Sequence, residues 1–233
     1  MTDNTRRADI VAIMGATGAG KSSTITAALA ADSGPRRLIY DPGEDFGAFG
    51  DVVHSRQALF DQIKAGAGKA FRVVFRPRLD LDLVALRGEF NWFCNVAVAV
   101  CRAHGDTLIV VDELEDVVTA TWAPPWWGQL IRKGRKLGAR VVAASQRPAG
   151  IEKRIWSMAT VVQSGRLNDI EDARTVARVL MVDPLEVVGL EPLHWIRRSI
   201  YKPVILRGRI EWRGGVPADA DVVEKPLPFL RAV

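Results

Sequence analysis

Two cysteines and three histidines in 233 residues leave little from which to build a Cys/His metal centre. Cys94 and Cys101 are seven positions apart in a stretch that reads as helix. That spacing puts them roughly 10 Å apart along the axis at about 1.5 Å per residue. A disulfide spans at most about 7 Å between Cα atoms, so both are expected as core thiols. No run approaches the roughly 18 uncharged apolar residues of a membrane-spanning helix. The N-terminus, MTDNTRRADIV, enters an apolar strand pattern without a signal-peptide h-region, so a soluble, cytoplasmic protein is expected. Repeats and long low-complexity tracts are absent. A chain 48% hydrophobic and 25% charged is long enough to bury a two-sided sheet without disulfide or metal staples.

What is present is a rhythm. Short apolar, β-branched runs occur at ADIVAIM (8–14), RRLIYD (36–41), AFRVVFR (70–76), DTLIVVD (106–112), ARVVAAS (139–145) and ATVVQS (159–164). Several are apolar throughout, as strands covered on both faces are. Helical patterns intervene at 22–31, near 80–104, at 127–137 and at 168–181. The alternation predicts an α/β fold around a mostly parallel sheet flanked by helices. YKPVILRGRIEWRG, from about 200, predicts a terminal β-hairpin, and PADADVVEKPLPFLRAV, with three prolines, an irregular arm. The expected division is a core over 1–200 and a C-terminal extension over 201–233 packed on it.

Residues 15–22, GATGAGKS, match G-x-x-x-x-G-K-[ST] between an apolar strand and a helix. Glycines let backbone N–H groups curl around phosphate oxygens, and the helix start aims amides and a positive dipole end at the anion. The expected phosphate cradle is Gly15, Ala16, Thr17, Gly18, Ala19, Gly20, Lys21, Ser22 and Ser23. Lys21 is expected on the β/γ-phosphates and the Ser22 hydroxyl on Mg²⁺, which makes ATP–Mg²⁺ the expected ligand. TLIVVDELED (107–116) then runs four apolar residues into two acids. Asp112 at a buried strand end can hold Mg²⁺, usually through water, and Glu113 can polarise an attacking water. The ordinary alternative is a strand end with acidic cap residues. That extra glutamate favours hydrolysis over phosphoryl transfer to a metabolite. The next strand ends in Ser145-Gln146-Arg147-Pro148, which places Gln146 where a neutral amide could sense the γ-phosphate.

Together GATGAGKS, LIVVDE, GRKLGAR and ASQRP, in that order, resemble the FtsK–HerA superfamily of DNA-translocating ATPases. LIYDPGEDF and SGRLNDIEDARTVARVL are also similar to it, and the resemblance spans roughly residues 8–200. It implies a RecA-like P-loop core that assembles as a ring, usually hexameric, around duplex DNA. It further implies an arginine finger reaching a neighbour's site just before the sensor strand; Arg135 matches best and Arg132 second. The single-domain size looks like the genome-packaging ATPases of tailless, internal-membrane viruses with double jelly-roll capsids. A capsid-vertex or membrane protein partner, and a place in the host cytoplasm or at a virion vertex, would follow.

The net charge of +5 gathers in one place. Residues 131–154 hold Arg132, Lys133, Arg135, Lys136, Arg140, Arg147, Lys153 and Arg154 against Glu152 alone. Such a cluster is either a solvated face or a phosphate-contacting surface whose binding is salt-sensitive and sequence-independent. Trp122, Trp126 and Trp127 flank a Pro-Pro and are expected in core packing or a subunit contact, since duplex DNA hides its bases. The expected activity is therefore ATP-driven translocation of double-stranded DNA, with genome packaging as its use. The alternatives are an ATP-dependent assembly switch, a conjugation- or repair-type ATPase, or, less in keeping with Asp112–Glu113 and Gln146, a phosphotransferase.

Overall fold

The computed structural model describes residues 9–66, 70–78 and 80–226. The first half of the chain runs β1 (Ile10–Met14), α1 (Lys21–Ala31), β2 (Arg36–Tyr40), β3 (Asp51–Val53), α2 (Arg56–Ala65), β4 (Phe71–Phe75) and α3 (Leu83–His104). Then come β5 (Thr107–Val111), α4 (Leu114–Val117), α5 (Pro125–Lys133), β6 (Ala139–Ser145) and α6 (Arg154–Met158). The chain continues through β7 (Val161–Ser164), α7 (Ile170–Leu180) and α8 (Pro184–Val188) to three strands, β8 (His194–Ser199), β9 (Val204–Arg213) and β10 (Val216–Pro226). Contacts divide it into two compact units.

Among the described residues, the first unit comprises those within Ser33–Val117 and Ala123–Val142, with Asp9 and Ile10. Its strand order is β6-β5-β2-β4-β3, and β2 pairs in parallel with both β4 and β5, as does β3 with β4. Every residue of β5 is buried, which is why that run reads as continuously apolar rather than alternating. Above these strands lies an aromatic cluster. Tyr40 meets Phe90 at 5.0 Å and Phe93 at 5.5 Å, and Phe90 meets Trp127 at 5.6 Å. α3 is long and apolar enough by composition alone to cross a membrane, yet its apolar face buries Phe90, Phe93, Cys94, Ala97 and Cys101 in this core. Cys94 and Cys101 are buried free thiols, as their spacing implied. Burial pushes Cys101 up to about 11, so it stays protonated.

Among the described residues, the second unit comprises Val11–Asp32, Val118–Trp122 and the chain from Ala143 to Pro226. Its strand order is β10-β9-β8-β7-β1-β6. β1 and β7 are parallel, while β7–β8, β8–β9 and β9–β10 are antiparallel. A C-terminal hairpin is present as β9–β10, but YKPVILRGRIEWRG supplies only its first strand and turn. The irregular arm needs correction: residues 217–226 of that segment belong to β10, and 227–233 lie outside the described residues. The prolines misled because β10 ends the strand order, and an edge strand tolerates residues that cannot donate to a ladder. The helix expected over 127–137 also ends sooner, at Lys133, and a 3₁₀ turn over Gly134–Leu137 follows.

Candidate functional site

In the second unit the segment from β1 to α1 forms a tight loop. Gly15 N–H donates to Ser145 O at 3.3 Å and Ala16 N–H to Arg166 O at 2.8 Å, so the end of β6 and the segment just after β7 both hold it. Gly18 and Gly20 take positive φ, 77° and 94°, which residues with a Cβ adopt at a cost. Gly20 caps α1 without a side chain; helix-start amides with no such cap are suited to an anion. Lys21, Ile25 and Leu29 share one buried face of α1 at i, i+4, i+8. Lys21, the first residue of α1 after the loop, is 8% exposed. These glycine conformations and that lysine fit a bound triphosphate.

The residue following β6 meets this loop. Thr17 Oγ donates to Gln146 Oε1 at 2.8 Å, so a residue of the phosphate loop and the amide expected to sense the γ-phosphate are directly bonded. Beyond Gln146 the chain is clamped by an acid that sequence reading did not single out. Asp172, in the first turn of α7 and 1% exposed, accepts from Arg147 Nε and from Ala149 N–H, both at 2.8 Å. α7 is itself started by Asp169, which accepts from the N–H groups of Glu171 and Asp172. Thr17, Gln146, Arg147, Asn168, Asp169 and Asp172 help line an open pocket of about 240 Å³. The signal for Asp169 was visible as an acid ahead of a helical period. Nothing in the sequence distinguished Asp172 from an ordinary first-turn carboxylate.

Asp112 and Glu113 lie in the first unit with Arg132 and Arg135. Asp112 follows β5, is 2% exposed, and its N–H donates to Tyr40 O at 3.2 Å. Glu113 has φ of 47°, a left-handed backbone for a residue with a full side chain. Its carbonyl accepts from Asp116 N–H at 3.1 Å, starting α4. Asp116 is an exposed residue whose carboxyl is nonetheless raised above the ordinary 3.8, by partial desolvation first and the Glu113 charge second. The acid of LIYDPGEDF, Asp41, is fully buried and organises its own loop. It accepts from Asp45 N–H (2.9 Å), Phe46 N–H (3.2 Å) and Arg76 Nε (3.0 Å).

The basic stretch resolves into separate roles. Arg140 is paired with Asp106 at 2.8 Å, Arg147 with Asp172 at 2.8 Å and Arg154 with Glu152 at 3.1 Å. Arg132 Nε donates back to Gly128 O in its own helix at 3.0 Å. Lys133, Arg135, Lys136 and Lys153 are exposed. Of the tryptophans, Trp127 is core, Trp122 is 43% exposed, and Trp126 N–H donates to Asn91 Oδ1 at 3.0 Å.

A glycine loop between a buried strand and a helix carrying a buried lysine, with an amide-tipped strand beside it, is the architecture of a P-loop NTPase fold. The chain is 32% identical over 179 residues to protein P9 of Pseudoalteromonas phage PM2, covering 77% of this chain and 78% of that one. It belongs to the family of that phage protein. No protein-family model matches it. Among solved structures, its fold matches the genome packaging NTPase B204 of Sulfolobus turreted icosahedral virus 2, in complex with AMPPCP. The TM-score is 0.67 at 18% identity, over 87% of this chain and 97% of that one. B204 of Sulfolobus turreted icosahedral virus, described as a DNA-packaging ATPase, gives 0.66 at 18%, over 85% and 96%. VirB4 of Thermoanaerobacter pseudethanolicus gives 0.63 at 11%, over 88% and 90%.

Proposed function

We propose that this protein is an ATP-hydrolysing motor that translocates double-stranded DNA, and that its use is the packaging of a viral genome. The observation that carries the reading is the Thr17–Gln146 hydrogen bond at 2.8 Å. It links the phosphate-binding loop to a polar group at the end of the neighbouring strand, as a device that couples the bound phosphate to a response requires. Kinship with a phage protein and a fold shared with viral packaging NTPases support the same reading.

In this proposal Gly15–Ser23 cradle the triphosphate, Lys21 binds the β/γ-phosphates, and Ser22 and Asp112 hold Mg²⁺, Asp112 through water. The ion would neutralise charge on the phosphates. The carboxylate of Glu113 would polarise the attacking water. Arg135 would act in trans at a neighbour's site, which makes a ring, expected as a hexamer, the working form. Arg132, also exposed, is the second choice because its guanidinium already serves its own helix. The exposed Lys133, Lys136 and Lys153 are candidates for phosphate contacts to DNA.

The test is ATP turnover with and without duplex DNA over a range of salt, alongside the oligomeric state. Stimulation by DNA that fades as salt rises, and that is lost with Lys21→Ala, is the expected result. A monomer whose turnover ignores DNA at every salt concentration would leave an assembly switch as the better reading.

A further inference from the structure

The C-terminal strands reach the nucleotide-binding helix through a line of side chains. Thr24, three residues past the start of α1, accepts from Gln163 Nε2 on β7 at 2.9 Å. Gln163 is 3% exposed. Its Oε1 accepts twice from Arg197 on β8, from Nε at 2.8 Å and Nη2 at 2.6 Å. The same guanidinium forks onto Asp219 of β10, Nη1 to Oδ2 at 2.7 Å and Nη2 to Oδ1 at 3.2 Å. It also stacks over the Trp195 ring, 4.2 Å from the centroid. Four side chains from four elements thus join α1 to the last strand.

The chemistry of the line allows one orientation. Arginine has donors only, so the face of Gln163 toward Arg197 must be its carbonyl oxygen. The amide NH₂ therefore faces Thr24, whose hydroxyl is obliged to accept. A buried amide satisfied at both ends is rigid, and removing Arg197 strands its oxygen in a desolvated place. A second contact closes on the same helix from the same strands. A Cβ on Gly20 would lie 3.2 Å from Leu193 Cδ2 and 3.3 Å from Ile210 Cδ1.

We propose that Arg197 is a positioning residue of the nucleotide site: gripped by Asp219 of the terminal hairpin, it locks Gln163 and, through Thr24, sets the orientation of α1 and so of Lys21 and Ser22. The β9–β10 hairpin is then part of the nucleotide-binding apparatus rather than an appendage. The inference rests on reading residues 15–22 as the ATP site.

The test measures the dissociation constant of a fluorescent ATP analogue with Mg²⁺, and the melting temperature, for the full chain and for Thr24→Val, Arg197→Met, the double variant and Asp219→Ala. Lys21→Ala serves as the control for nucleotide binding. Thr24→Val and Arg197→Met are each expected to weaken binding about five- to tenfold, the range of one well-placed hydrogen bond. The double variant should be no weaker than the worse single one, because both break one line. Arg197→Lys should restore binding in part, since one ammonium cannot fork onto Gln163 and Asp219 together. Variants that fold and bind as the wild type does, or losses that multiply in the double variant, would overturn the proposal. Should Arg197→Met fail to fold, Thr24→Val and the half-exposed Asp219→Ala decide it by the same measurement. A wild-type chain that binds the analogue no better than Lys21→Ala removes the ATP reading and this inference with it; a wild type that binds, with unaltered variants, removes the inference alone.

Discussion

Glu113 carries a full side chain at φ of 47°, a conformation that costs roughly 1–2 kcal/mol where glycine would be at ease. Strain of this kind gathers where a side chain is needed in one place, which suits the role proposed for its carboxylate. Glu113→Gly is therefore expected to stabilise the fold by up to ~1 kcal/mol, the relief being partly offset by the greater freedom of unfolded glycine. The same change should stop hydrolysis while ATP still binds. A rise in melting temperature with turnover intact would detach the strain from the chemistry. Asp116, three residues on, offers a pH test. Its carboxyl is raised above 3.8 by partial desolvation and by Glu113, so the folded state holds that proton more tightly than the unfolded chain. The ionised group then costs stability increasingly as pH rises through and above about 3.8, and below it both states are protonated and the cost vanishes. Asp116→Asn should accordingly gain more over wild type at pH 7 than at pH 4, read from denaturation midpoints. An equal gain at both would show that ionisation is not its cause.

At the scale of elements, the start of α1 is held open by one residue without a side chain. Gly20→Ala forces φ of 94° on a residue with a Cβ and pushes that atom toward Leu193 and Ile210. A loss of about 1–3 kcal/mol is expected from strain and crowding together, with weaker ATP binding because the helix start must shift. Unchanged binding in a destabilised variant would show that the loop tolerates displacement. Why some elements could be read and others not follows from the same physics. β5 and β6 announced themselves because continuous burial writes continuous apolar sequence, and ARVVAAS marks β6 over 139–145 to the residue. β3 is three residues long with two of them exposed, too short to show a period. β8 carries Arg197 and Arg198 within HWIRRS, charges that break an apolar pattern yet are consumed by Gln163, Asp219 and the Val179 carbonyl. The glycine loop and Gln146 were legible because their chemistry demands particular residues at particular spacings. Asp172 and the Gln163–Arg197 pair were not, because their partners are far away in sequence and only folding brings them near.

For the molecule as a whole, the net charge of +5 says less than where exposed cations lie on the surface. Three of the eight basic residues in 131–154 are neutralised by acids at 2.8–3.1 Å, so the stretch is a weaker polyanion surface than its composition implies. Arg135 stands out because it is exposed on a turn bracketed by Gly134 and Gly138, just ahead of β6. An arginine that serves a neighbour makes each site depend on two chains, and symmetric assembly repeats that dependence around the ring. Arg135→Ala is thus expected to assemble and bind ATP yet hydrolyse it at least about a thousandfold more slowly, the scale on which such fingers act. Mixing provides the sharper reading. If subunits worked alone, equal amounts of wild type and Arg135→Ala would retain about half the activity. If a ring requires a finger at every seam, DNA-stimulated turnover should fall far below half, because nearly every mixed ring contains at least one seam that cannot fire. Arg132→Ala in the same mixture should lose little, since its guanidinium is spent on the Gly128 carbonyl of its own helix. Activity that falls in simple proportion to the wild-type share would place Arg135 outside its neighbour's site and return it to the exposed basic surface, where only the salt dependence of DNA binding would register its loss.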